Sequence, residues 1–227
     1  MSAYETLHLA DFANDAARFI LDAGRAAIEA RGFFKLGLAG GETPRTIHAA
    51  MAQLGGDFPW EKTQITFGDE RCVPPDDKDS NYRMAHESLL SVVPIPEGNI
   101  FRMRGEIDPT AAASEYEAKL AAVATRCGEV RYVHDLLLLG MGPDGHTASL
   151  FPGSPALGET VRNVIPATGP KPPPQRLTMT FPLINASRCV AFLVKDEGKA
   201  SVVSEVQADD PRYPASRVKA ATWLLGW

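Results

Sequence analysis

Four consecutive leucines at 136–139 lie between Asp135 and Gly140. Such a run has no polar face to turn toward water, and it is far shorter than the roughly 20 apolar residues that a membrane helix needs. It predicts a strand covered on both sides, which is the situation of a central strand in a parallel sheet. The rest of the chain supplies the covering. Strands are expected at 4–9, 34–39, 64–67, 135–139, 190–194 and 222–225, alternating with helices at 12–30, 44–54, 81–92, 109–126 and 199–208. Asp11, Thr43 and Asp108 are placed as N-caps, Pro44 as a first helical residue and Gly32 as a stop. The alternation predicts a single α/β domain over 1–227, a layered fold with a mostly parallel central sheet flanked by helices. The proline-rich segment 169–174 reads as a stiff surface loop.

Composition narrows the function. The chain is 44% hydrophobic and 22% charged, which suits an ordinary folded domain with a large core. A net charge of −5 with scattered cations argues against nucleic acid, which needs a basic stripe. A small anionic ligand needs only two or three placed cations. Cys72, Cys127 and Cys189 have neither metal-ligand nor disulfide spacing, so a reducing, cytoplasmic setting is expected. The first residues lack the basic-then-apolar order of a secretion signal, and no membrane association is expected.

Ligands of open parallel sheets sit beyond the carboxyl ends of the strands, and three predicted strands end in unusual segments. After the strand at 34–39, Gly40-Gly41-Glu42-Thr43-Pro44 lets the backbone approach a ligand and opens a helix whose free amides suit phosphate. After 64–67 comes Asp69-Glu70-Arg71, followed at a short distance by Ser80-Asn81; Arg71 has the planar fork for an oxyanion or a phosphate. After 135–139 comes Gly140-Met141-Gly142-Pro143-Asp144-Gly145-His146. His146 takes and returns protons near neutral pH, and Asp144, two residues away, is placed to orient it. His8, His48, His86 and His134 are read instead as packed histidines. Arg176 and Lys199 complete the set of candidate cations. There is no nucleotide P-loop, no dinucleotide fingerprint, no HExxH and no nucleophile elbow around Ser149 or Ser154. An activated water is therefore the expected nucleophile.

Together GGETPR at 40–45, FGDERCVPPDDKDSNYRM at 67–84, LGMGPDGHTASLFPG at 139–153, RLTMTFPLINAS at 176–187 and EGKA at 197–200 resemble the 6-phosphogluconolactonase family, within a wider group that includes the glucosamine-6-phosphate deaminases. The resemblance implies a fold of the glucosamine-6-phosphate deaminase and ribose-5-phosphate isomerase type. It implies hydrolysis of 6-phosphoglucono-1,5-lactone in the oxidative pentose phosphate pathway, without metal or organic cofactor, by a monomer or homodimer whose partner is the sugar-phosphate lactone. Carried over by position, His146 is the general base, Asp144 its partner and Arg71 a third catalytic group. Gly40, Gly41, Thr43, Asp69, Asn81, Arg176 and Lys199 bind substrate or phosphate. The family's turn usually reads Ser-Gly-Gly-Ser-Thr-Pro, whereas Ala39 and Glu42 stand here in place of the serines; a carboxylate at that position repels phosphate unless it points away.

Two other readings are open. An amino-sugar-phosphate deaminase needs further acid–base carboxylates, and its segment resembles DGHIAFNE, with a glutamate five residues after the histidine, where this chain has Phe151. A non-catalytic sugar-phosphate sensor would use Arg176 and Lys199 but has no need of Asp144 and His146.

Overall fold

The computed structural model describes residues 4–227. In chain order the elements are β1 (Tyr4–His8), α1 (Phe12–Arg31), β2 (Phe34–Leu38), α2 (Glu42–Leu54), β3 (Thr63–Phe67), β4 (Asp69–Arg71), α3 (Asn81–Ala85), α4 (Pro109–Arg126), β5 (Leu136–Gly140), β6 (Val164–Thr168), β7 (Gln175–Met179), α5 (Phe181–Ile184), β8 (Val190–Val194), α6 (Ala200–Gln207) and β9 (Ala221–Leu225). Six strands form a sheet in the order β1-β9-β8-β5-β2-β3, with every pairing parallel.

The leucine run explains this sheet. Side chains alternate across a strand, so Leu137 and Leu139 join one core with Phe192 and Trp223. Leu136 and Leu138 join another with Ala191, Leu193 and Leu224. On the first face, α4 supplies Ala113, Tyr116 and Leu120. On the second, α1 and α2 supply Ile20, Leu21, Ile47 and Met51. None of the four leucines at 136–139 is more than 1% exposed.

Several local expectations are met. Gly32 ends α1 in the left-handed conformation at φ 83°, its amide bonded to the Ile28 carbonyl, and Asp108 caps α4 by accepting from the Ala111 amide at 2.9 Å. Others are corrected. Asp11 does stand at the N-cap of α1, but its side chain makes no capping bond; that carboxylate accepts from Asn14 while the Asp11 amide donates to Asp15. Helix α2 begins at Glu42 with Gly41 as its flanking residue, so Thr43 and Pro44 lie inside the first turn. Residues 81–92 do not form one α-helix: α3 ends at Ala85 and passes into a wider π-turn at His86–Leu90. Among the four histidines read as packed, His48 and His134 are fully buried, but His8 and His86 lie at the surface.

A second sheet of three antiparallel strands, β4-β7-β6, was not foreseen. Its strands are short and irregular in composition: β4 is three charged residues, and β6 contains Pro166. Proline removes a ladder donor and is tolerated on an edge strand, which β6 is. The segment 169–174 is the loop joining β6 to β7.

Candidate active site

In the large sheet β5, β2 and β3 are neighbours, so the three segments singled out at their carboxyl ends meet at one edge. After β2, the Gly40 backbone presses against Asn81: a β-carbon on Gly40 would lie 2.0 Å from Asn81 Oδ1. Gly41 follows at φ 104°. No side chain caps α2, and its first amides are left to bond a ligand or water.

After β3, the chain turns at Gly68 into β4. The Asp69 carboxylate accepts from Ser149 Oγ at 2.6 Å and from Asn81 Nδ2 at 3.0 Å. Glu70 turns the other way and is only 2% exposed. It accepts from the amides of Arg71, Asn81 and Tyr82 and from the Ser80 hydroxyl, tying the start of α3 to β4. Burial raises its pKa, the neighbouring Asp69 charge adds to this, and the three amides oppose it. Arg71 donates to the Asp79 carbonyl at 2.6 Å. It sits directly opposite Arg176 in the β4–β7 ladder, and the Nε of each guanidinium is buried without a hydrogen-bond partner among the described residues. Burial, and then the Arg71 charge, lower the Arg176 pKa.

After β5 comes the tightest segment. The His146 carbonyl accepts from the Gly142 amide at 2.9 Å, and the Gly142 carbonyl accepts from the Gly145 amide at 3.0 Å. His146 Nδ1 lies 2.5 Å from Asp144 Oδ1. Burial acts to raise the Asp144 pKa, but the hydrogen bond and charge of His146 outweigh it, and the net shift is downward. An ionised carboxylate only accepts, so Nδ1 is the nitrogen that donates in this contact, which in the neutral ring leaves the lone pair on Nε2. The Phe151 ring packs against the imidazole, centroids 4.5 Å apart. Ala148 holds φ 48°, a conformation that non-glycine residues seldom adopt and that clusters at functional sites. Lys199, flanking α6 after β8, donates from Nζ to the Met141 carbonyl at 2.8 Å.

A cavity of about 250 Å³ lies between these segments. Of the ten residues expected at a site, it is lined by Gly40, Gly41, Thr43, Asp69, Arg71, Asn81, His146 and Lys199. Asp144 stands behind His146 and lines a neighbouring hollow. Arg176 does not reach the wall; it lies one strand away beside Arg71 and donates to the Lys171 carbonyl at 3.2 Å. Sequence reasoning missed Ser149 and Thr178. Thr178 Oγ1 accepts from the Ser149 amide at 3.1 Å, and the Ser149 hydroxyl in turn fixes Asp69. Glu42, set aside as a binding residue, does line the cavity.

The family model described as glucosamine-6-phosphate isomerases/6-phosphogluconolactonase matches residues 8–226. The chain belongs to that family. Among relatives in this lactonase and isomerase family, the human 6-phosphogluconolactonase is 42% identical over 87% of this chain and 78% of its own. The one from Synechocystis is 42% identical over 88% and 84%. The crystal structure of 6-phosphogluconolactonase from Thermotoga maritima superposes with a TM-score of 0.87 at 30% identity, covering 99% of this chain and all of the other. The enzyme from Trypanosoma brucei gives 0.85 at 28%, covering 99% and 96%. Glu42, which departs from the family's usual turn, stands at the rim of the cavity. Its side chain is 79% exposed and its carboxylate lies 3.7 Å from Arg45, one turn along α2.

Proposed function

We propose that this chain hydrolyses 6-phosphoglucono-1,5-lactone to 6-phosphogluconate, a step of the oxidative pentose phosphate pathway, with His146 activating the water. The observation that carries the reading is the His146–Asp144 contact at 2.5 Å beside a cavity that also holds Arg71 and Lys199 and whose lining contains no serine or cysteine. Nε2 of His146 takes a proton from water as its oxygen attacks the lactone carbonyl carbon. Arg71 or nearby backbone amides receive the oxyanion. The protonated imidazole then gives its proton to the departing ring oxygen, and Asp144 stabilises the charge between the two transfers. Lys199, Asn81, Asp69 and the Gly40-Gly41-Thr43 turn hold the sugar and its phosphate, and Arg176, behind Arg71 and outside the wall, adds its charge from there. The human and Synechocystis relatives, both 6-phosphogluconolactonases, support this substrate.

The deaminase reading is disfavoured by Phe151. Where the deaminase segment carries a glutamate, an apolar ring packs on the histidine and offers no acid or base. We place the protein in the cytoplasm; among the described residues no helix is long and apolar enough to cross a membrane.

The test is a pH-controlled assay of freshly generated 6-phosphogluconolactone run beside glucosamine 6-phosphate. Acid release from the lactone alone is expected. His146→Ala should lower kcat by roughly 10²–10⁴. Turnover of that variant within a few-fold of the parent protein rules out His146 as the base.

A further inference from the structure

The loop carrying Asp144 and His146 rests on a part of the chain that the sequence left almost unread, the segment 210–217. A β-carbon built on Gly145 would lie 2.4 Å from Tyr213 Cδ1, 2.7 Å from its Cβ and 2.8 Å from its Cγ, so the Gly145 backbone sits directly on the Tyr213 side chain. One further bond seals the contact: the Ala215 amide donates to the Gly145 carbonyl at 2.9 Å. Tyr213 is itself held. Its hydroxyl donates to Glu205 of α6 at 2.7 Å, Ser216 Oγ donates to its carbonyl, and the Arg212 guanidinium lies 5.3 Å from its ring centroid. Arg212 also bonds Glu205, at 2.7 Å.

Gly145 is the residue before His146, and two backbone bonds link Gly145 to Gly142 and Gly142 to His146. A shift at Gly145 is therefore carried into the imidazole. Lys199 holds the same loop at Met141, so the loop is clamped at two points. Tyr213 is not among the residues that line the cavity.

We infer that Tyr213 is a positioning residue for the hydrolysis: its ring sets the height of the loop that aims His146 at the lactone carbonyl. This rests on the function proposed above. Displacements of about 1 Å at reacting groups can cost on the order of 10² in rate, and a catalytic base that is misplaced loses kcat while substrate binding is retained. The role belongs to the ring, since the hydroxyl faces α6.

The experiment compares kcat and KM for Tyr213→Ala, Tyr213→Phe and Gly145→Ala on 6-phosphogluconolactone, each variant first shown to be folded at the assay temperature. Tyr213→Ala is expected to lose about 10-fold or more in kcat, with KM within about two-fold of the parent. Tyr213→Phe keeps the ring and is expected to stay within about two-fold in kcat. Gly145→Ala pushes a methyl into the ring from the other side and also strains a backbone held at φ 69°, so it should repeat the kcat loss; Tyr213→Leu replaces Tyr213→Ala if the latter does not fold. Unaltered kcat in either alanine variant overturns the inference, as does a loss confined to KM or a Tyr213→Phe variant as slow as Tyr213→Ala. His146→Ala is run alongside. If that variant keeps its activity, the proposed function has failed; if it loses activity while the Tyr213 series does not, only the positioning role has failed.

Discussion

Gly142 marks how closely the loop is drawn around its dyad. A β-carbon there would lie 2.1 Å from His146 Nδ1 and 2.6 Å from Asp144 Oδ1, so Gly142→Ala must part the two side chains or move the backbone. We expect it to lower kcat by about 10², read in the lactone assay at saturating substrate. The cations call for a different readout. Arg176→Ala and Lys199→Ala should chiefly raise KM, because a spectator phosphate contributes binding energy and not chemistry. Equal turnover of an unphosphorylated lactone by the parent protein would contradict that assignment. Some of these residues were legible in sequence for a physical reason. A histidine in a glycine-rich turn stands out from one placed on an apolar face, and a charged triplet at the end of an apolar strand marks the same edge of the sheet. Ser149, Thr178 and Glu70 were not legible, because their roles consist of bonds to groups distant along the chain: Ser149 reaches Asp69, and Glu70 reaches Ser80, Asn81 and Tyr82. No local pattern encodes such a partner.

At the scale of elements, the large sheet announced itself through apolar strands and capped helices, and the small sheet did not. β4 spells Asp-Glu-Arg and β6 carries a proline, so neither has the alternation that marks a strand. Yet the small sheet brings β7 alongside the site. Thr178 on β7 is fully buried. It donates to the Met179 carbonyl while accepting from the Ser149 amide. Thr178→Val keeps the shape and strands that amide, which should cost about 1–3 kcal/mol of stability, measured by urea unfolding. It should also loosen Asp69 through Ser149 and raise KM. A variant as stable as the parent would show that the amide finds another acceptor. Of the helix boundaries that differ, the one at Thr43 lies at the cavity wall, and the one after Ala85 lies where the chain widens into a π-turn packed against α2.

Across the whole molecule, two buried rings couple stability to pH. Burial lowers the His48 pKa to about 4; burial, with a smaller effect from the Lys35 charge, lowers that of His134 to about 3. The unfolded chain takes up these protons near pH 6.5, whereas the folded one refuses them until far lower. The unfolded state then binds more protons, so stability is complete above about pH 6.5 and declines as pH falls toward 4 for His48 and toward 3 for His134. Glu70, raised by burial, acts in the opposite sense, so the clean measurement is a difference. Urea unfolding between pH 7 and 4 should fall less steeply for His134→Gln than for the parent, and parallel curves would remove His134 from the account. The facing arginines at 71 and 176 add a second dependence on solvent. Like charges directly opposed in a ladder repel, and here each also keeps a buried, unbonded Nε. A small oxyanion bound in the cavity against Arg71 offsets the repulsion between the two charges. Inorganic phosphate or sulfate in the buffer should accordingly raise the melting temperature above that in chloride of equal ionic strength and compete with the substrate, so rates measured in phosphate-buffered solution will understate what the enzyme does in a neutral amine buffer.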